Sequence, residues 1–405
     1  MAEHKIEERI EFLTQIHTAW DSTEQRMALR KRPRRTFSYR YTSLNDYEAE
    51  WIRSINFTKN GKQVDMPVWH NGFIAVENIY EKQSRIKIPD EKYVWGFRDC
   101  VKVMLYTNPE EGGEVYEVDS VSSDYIHLSE QIKSDFKKGI SFVVPVIYAY
   151  ILQNSDYTNE TVSTVDNIIS FEIINSVVEA RISEYFNEDN YPIPIYEYGK
   201  NLIGNYHGLE VFMLPPQWDG TNTVIYDINA DAMDNQTGRN YYCFKSESPL
   251  AIHSLKYMLK NKEDLNYIER FFYRTKGQYK SFFMPTWTQD FTLVNNVNVG
   301  DNELIVSLNV YYNYYAKIKR RRRIIVFYKD GTAEILNIAG FSYTNDGKYG
   351  KIFLNSTLTH LIYVKDVLMI SFFVCARLNS DVLEIDHETN ETALITIDIK
   401  ELDDE

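Results

Sequence analysis

Met66-Pro67-Val68-Trp69 recurs 218 residues later as Met284-Pro285-Thr286-Trp287. At the same offset Phe73-Ile74-Ala75-Val76 is answered by Phe291-Thr292-Leu293-Val294. A short motif that repeats together with its surroundings points to two diverged copies of one unit in tandem. The competing reading is a chance recurrence in an aromatic-rich β protein. On the first reading, Met66, Trp69, Met284 and Trp287 are core anchors that seat a helix on a sheet. An aromatic platform at the surface is the alternative for the same residues.

The flanks extend the pattern. Leu44, Tyr47, Trp51, Ile52 and Ile55 recur at three- and four-residue spacing, which predicts an amphipathic helix before the first motif. Leu265, Ile268, Phe271 and Phe272 predict its counterpart before the second. Each helix leads through a turn, Asn60-Gly61-Lys62-Gln63 or Lys276-Gly277-Gln278, into the Met-Pro segment. Strand patterns follow. In the first copy they involve Ile86, Ile88 and Tyr93, then Val101–Tyr106, Glu114–Val121, Tyr125–Leu128 and Phe142–Ile151. In the second they involve Leu304, Val306, Leu308 and Val310, then Ile324–Tyr328, Glu334–Ile338, Lys351–Leu354 and Val367–Ala376. The expected fold is therefore mainly β with a few helices (α+β). It consists of two tandem copies of a β-barrel or sandwich unit, each with an amphipathic helix.

A chain of 405 residues exceeds one ordinary core. The expected division is a first β-rich repeat with an N-terminal arm (1–185), a linker (186–206) and a second repeat (207–405). Asn187–Pro194 marks the linker, since Pro192 and Pro194 hold the backbone extended. The 31 Tyr and 21 Phe favour strands and protein–protein contact. A net charge of −14 opposes general binding to nucleic acid, which needs excess Lys and Arg. Cys100, Cys243 and Cys375 are widely spaced, so neither a zinc knuckle nor a disulfide framework is expected. Cys375 reads as a small core residue. Met1–Arg9 is charged without an apolar centre, so no secretory leader is expected. The longest apolar run, Phe142–Ile151, is too short to span a bilayer. The acidic Glu401–Glu405 reads as a frayed tail.

Chemistry-bearing motifs are sparse. No nucleophile elbow, zinc-protease helix, Walker loop or dinucleotide fingerprint occurs. The eight histidines are scattered; His70 reads as a turn residue, and Thr288 stands in its place in the second copy. Glu110-Glu111 reads as solvent-facing. No enzyme activity, cofactor or metal is expected. Arg30, Arg32, Arg34 and Arg35 run directly into an alternating strand, Thr36–Tyr41. Inter-subunit pairing with carboxylates is favoured for them, with a solvated edge and nucleic acid as alternatives. Lys317–Arg323, including Arg320, Arg321, Arg322 and Arg323, is open between a ring lumen, an acidic neighbour and solvent.

The N-terminal segment reads as a strand from Ile10, a polar turn after Trp20, and an arm carrying Glu24, Gln25 and Arg26. Ala28-Leu29-Arg30 and Arg34-Arg35 follow, leading into the next strand. This order resembles the N-terminal signature of tail proteins of tailed bacteriophages, with distal-tail, tail-tip and baseplate proteins the nearest comparison. Ser281–Trp287 is similar to a strand-then-PxW element of such proteins. The resemblance covers about residues 10–75 and 275–295. The second copy departs from it, lacking the Glu-Gln-Arg arm; Asn240–Phe244 stands where an Arg-rich sequence is expected.

The resemblance implies a structural virion protein forming a ring at the tail tip, baseplate or adaptor, made in the bacterial cytoplasm and located in the tail. Implied partners are copies of itself, the tail tube and neighbouring tail-tip or fibre proteins. A trimer with pseudo-sixfold symmetry or a hexamer is expected, with head-to-tail contacts. No membrane partner is expected, and nucleic acid only in passage through a lumen. The alternative is a carbohydrate-binding or receptor-contact module using exposed tyrosines with Trp69 and Trp95; an enzyme of another kind stands third.

Overall fold

The computed structural model describes residues 6–19, 23–43, 45–108, 112–152, 156–161, 164–174 and 204–403, apart from 219, 235, 237, 239, 247, 308–309 and 346. The expected linker falls largely outside the described residues, as do Leu44, Glu110, Glu111 and Leu308.

The first half runs β1 (Ile6–Glu11), β2 (Thr14–Thr18), β3 (Glu24–Ala28), β4 (Arg34–Thr42), α1 (Asp46–Lys59), β5 (Gln63–Pro67), β6 (Phe73–Ile74) and β7 (Arg85–Lys87). It continues with β8 (Lys102–Asn108), β9 (Gly112–Val121), β10 (Tyr125–Leu128), β11 (Phe142–Ile151), β12 (Asp156–Asn159) and β13 (Val165–Ile173). The second half opens with the short pair β14 (Asn205–Tyr206) and β15 (Leu209–Glu210). Then come β16 (Thr223–Asp227), β17 (Ala230–Asp234), β18 (Asn240–Phe244), β19 (Leu250–Leu259), α2 (Lys262–Thr275), β20 (Phe282–Pro285) and β21 (Glu303–Ser307). It ends with α3 (Tyr311–Tyr314), β22 (Arg323–Tyr328), β23 (Ala333–Tyr343), β24 (Tyr349–Leu354), β25 (Val367–Leu378), β26 (Val382–His387) and β27 (Ala393–Glu401). The fold is mainly β, and its sheets are antiparallel, as the alternating patterns predict.

The two halves share a pairing plan. Residues from β1 to β4 match those from β16 to β19 at a constant spacing of 216. Thr14 opposes Ala28 in the hairpin β2–β3, and Ala230 opposes Phe244 in the hairpin β17–β18. Glu8 opposes Phe37 across β1–β4; Val224 opposes His253 across β16–β19. Beyond the helices the spacing is 218 at first, as at Met66/Met284 and Ile86/Leu304, and widens to 226–228 in the later strands, as at Ile126/Ile352, Ile147/Val374 and Thr158/Asp386. Met66 opposes Ile147 and Met284 opposes Val374; Ile86 opposes Ile126 and Leu304 opposes Ile352. Asn240–Phe244 thus stands opposite Glu24–Ala28 in this plan, in a hairpin strand and not in place of the Arg30–Arg35 run.

The halves are joined by a strand crossing. β1 lies between β4 and β26, so one sheet traverses the molecule in the order β12-β13-β4-β1-β26-β27-β19-β16. Strand hydrogen bonding thus runs without a break from the first half to the second.

Both helices start alike. The side chains of Asn45 and Asn261 accept from the backbone N–H of Glu48 (2.9 Å) and Asp264 (2.8 Å). This satisfies donors that a helix N-terminus leaves open, and acidic residues in each first turn suit the helix dipole. Their burial differs. Most of α2 lies in the largest core, with Leu265, Ile268, Phe271 and Phe272 inward as the periodicity predicts. In α1 only Ala49 and Ile52 are buried, and Tyr47 and Trp51 of the expected inward stripe are exposed.

Several local expectations are revised. Met66, Met284 and Trp287 are buried, the last stacked on Phe327 at 5.2 Å. Trp69 is 39% exposed and meets Tyr106 edge-on at 5.5 Å, so it is a surface residue and not a core anchor. Tyr93 belongs to the 3-10 segment Glu91–Phe97, and Val310 precedes α3. Cys375 is only half-buried. Glu401, expected at a frayed end, is fully buried.

Candidate functional site

Where β1 enters the second half, its inward side chain is a carboxylate. Glu8 is 1% exposed. Arg35 on β4 grips it, with Nε at 2.9 Å and Nη2 at 2.6 Å from Oε1. Arg35 also bonds Asp99. From β26, His387 Nε2 lies 3.0 Å from the other Glu8 oxygen. His70 Nε2 lies 3.7 Å from that oxygen, and its ring stacks on His387 at 4.0 Å. His70 does sit in a short turn (Trp69–Asn71), as expected, but that turn is buried at the seam between the halves.

The network continues into α2. Arg98 reaches Glu269 at 2.8 Å, and Trp95 Nε1 donates to the same oxygen at 2.6 Å. The Arg98 guanidinium lies 4.5 Å above the Trp95 ring. Lys262 Nζ donates to the His70 carbonyl at 3.1 Å and to Asn71 Oδ1 at 2.9 Å. Nearly every bond here joins a residue before 100 to one after 260. Opposite charges and charge-assisted hydrogen bonds offset part of the cost of removing these ions from water.

The titration of these groups follows from their surroundings. Burial raises the Glu8 carboxyl, but Arg35, His387 and His70 outweigh it and hold it well below the usual range. Burial lowers Arg35, and Glu8 reverses this, leaving it well above its ordinary value. His70 is pushed well down by burial and by His387. Burial lowers Lys262 to about 8.

Glu8, His70 and His387 also bring their ligand atoms within 4.8 Å of one another, the one such group among the described residues. Glu8 is already shared by Arg35 and His387, and Arg98 and Lys262 add positive charge nearby. That balance suits an internal ion network better than a bound cation.

A second contact clasps the halves from outside. The hairpin β2–β3 lies on the second half, where Arg377 donates to Glu24 at 2.6 and 2.8 Å. Arg26 Nη2 donates to Ser281 Oγ at 2.7 Å. Thr14 bonds Asp381 through its N–H (2.5 Å) and hydroxyl (2.9 Å), and Asp381 also accepts from the Gln278 N–H. Gly277 lies directly against Asp381, where a Cβ would collide. Phe12 packs on Phe272 and Tyr273.

The first arginine run, expected to pair with a neighbouring subunit, and the second, left open between lumen, acidic neighbour and solvent, both find partners within the chain. Arg35 and Arg26 cross to the seam and the clasp, Arg30 meets Glu11 at 3.0 Å, and Arg34 lies 3.7 Å from Glu172. Arg32 and Gln25 are exposed. Of the second run, Arg320 bonds Asp403 and Ser248, and Arg321 reaches Glu401 at 2.8 Å, beside His253. Arg323 lies 4.8 Å over the Phe283 ring, while Lys317, Lys319 and Arg322 are exposed. The partner of this run is thus the buried acid near the end of its own chain. No local pattern points to Glu8, His387, Asp381 or Glu401; isolated charges on alternating strands look like ordinary surface residues.

No protein-family model matches the chain, and no curated protein is significantly similar to it. No helix among the described residues is long and apolar enough to cross a membrane.

Proposed function

We propose that this chain is a structural subunit of a bacteriophage tail, forming a ring at the tip, baseplate or adaptor level. On this reading it derives from a duplicated β-rich unit and is a virion component made in the bacterial cytoplasm. One observation carries the proposal: two halves with the same strand-pairing plan are joined side by side through one continuous sheet. Such a joint needs only a constant rotation to propagate into a closed head-to-tail ring. The Glu24-Gln25-Arg26 arm that resembles tail proteins is itself part of the clasp, which is a building role. Three chains would present six similar units, and a hexamer of chains is the other closure. Mass measurement and negative-stain imaging of the purified chain test this, together with its detection in tail particles. A ring located in the tail is the expected result; a chain absent from particles refutes the reading.

The carbohydrate-binding alternative keeps one supporting observation, the exposed Trp69 beside Tyr106. Trp95, its other candidate, is buried under Arg98 and Arg270. A glycan array comparing the chain with Trp69→Ala tests it, and equal binding by both eliminates it.

A further inference from the structure

The seam inside the chain has two counterparts, at the two ends of the described sheet. β1 is bonded on both edges, by β4 and β26. Its counterpart β16 is bonded by β19 alone among the described residues. β26 has β1 on its outer edge; the matching strand β12 is paired with β13 alone among the described strands. The sheet thus begins and ends with the two strands that, in the other half, face each other.

Side chains follow the same logic. The hairpin β2–β3 is clasped onto the second half, whereas β17–β18 stands out from the molecule, with Met233, Tyr241, Tyr242 and Phe244 each about 60% exposed. Its docking place, by correspondence, is the first half. There Phe57, the counterpart of the covered Tyr273, is 91% exposed, and Tyr150, the counterpart of Arg377, is 47% exposed. Apolar surface of this extent, on both partners of a matched pair, marks an interaction site.

We infer that β16 and the hairpin β17–β18 of one chain dock on β12, α1 and Tyr150 of a second copy, repeating the internal seam between chains. This rests on the ring reading above for its closure and specifies the contact that builds the ring. The internal seam fixes the register: Glu7 opposes Asp386, so Thr223 of one chain opposes Thr158 of the next. Edge strands that pair this way supply backbone hydrogen bonds, and the aromatic hairpin supplies the apolar contact.

The two joints also differ in a way that sorts them. Glu24 accepts from Arg377 and lies 3.9 Å from Lys400. At the second joint the matching residues are Asn240 facing Tyr150 and Glu172. A neutral amide tolerates Glu172, whereas Glu24 there would meet like charge. Each hairpin is therefore suited to one site.

The test uses the full chain with Thr158→Cys and Thr223→Cys in a Cys243→Ser background, mildly oxidised with diamide. Dimers and higher multimers on a non-reducing gel, collapsing on reduction, are expected; neither single-cysteine variant should give the ladder. A folded double variant that gives no cross-link, or one that runs as a closed monomer, overturns the inference. A second measurement is independent of that variant's folding. Phe57→Asp should weaken self-association at least tenfold by analytical ultracentrifugation while leaving the melting temperature of the monomer unchanged. Unaltered association overturns the inference. A ring by imaging without the 158–223 link refutes this joint and leaves the ring reading standing. The link in a chain absent from tails supports the joint and refutes the tail reading.

Discussion

α1 and α2 have the same length, the same asparagine cap and the same place between two strands, yet one is mostly buried and the other mostly bare. Burial here is not a property of the helix. α2 is covered because β1, Phe12 and the 91–98 segment of the first half lie on it. α1 has no such cover among the described residues. The comparison separates what a unit needs to fold from what it needs a neighbour to supply.

The strongest way to break the comparison is at the seam. Arg35→Met leaves Glu8 buried without its main partner and should cost about 3–5 kcal/mol in urea unfolding; a loss below 1 kcal/mol would mean that the ion network does not hold the halves together. Next, the helices can be compared directly. Phe272→Ala removes a buried ring of α2 and should cost about 3–5 kcal/mol, while Phe57→Ala on the exposed face of α1 should change monomer stability by less than about 0.5 kcal/mol. Equal costs would dissolve the distinction.

Lys262 sharpens it through pH. Its ammonium titrates near 8 when folded and near 10.5 ordinarily. Between those values the unfolded chain binds more protons, so stability should rise with pH across that window. Lys262→Met should flatten that slope in denaturation series. Glu8 acts oppositely in sign of charge: its stabilisation is present above the ordinary carboxyl range and is lost as pH falls through its depressed folded value. The smallest effect is at the caps. Asn45→Ala and Asn261→Ala should each cost about 1 kcal/mol. Hydrogen exchange should rise locally in α1 but only through global opening in α2.

Much of the strand plan was legible because alternation and long apolar runs record which face of a strand is inward. Phe142–Ile151 and Val367–Ala376 fall within strands, and Met66 and Met284 sit inside, as their patterns say. Trp69 and the Tyr47–Trp51 stripe misled, because in the sequence an apolar residue left at the surface looks the same as one facing a core. The clasp was half legible. Glu24 and Arg26 stand out as directional groups, but their partners Arg377 and Ser281 lie more than 250 residues away, and no local pattern encodes that distance. Glu8 was invisible for the same reason: its environment is made by β4, β26 and α2 together.

The placement of β1 has a consequence for synthesis. Arg9 meets Glu384, 375 residues later in the chain. At translation rates of roughly 5–20 residues per second, that strand waits on the order of 20–75 s for its outer neighbour to emerge from the ribosome. A nascent first half keeps an open edge throughout that interval, so a polysome crowded with half-made chains is where misassembly threatens most, and a chaperone that shields one strand would have the greatest benefit there.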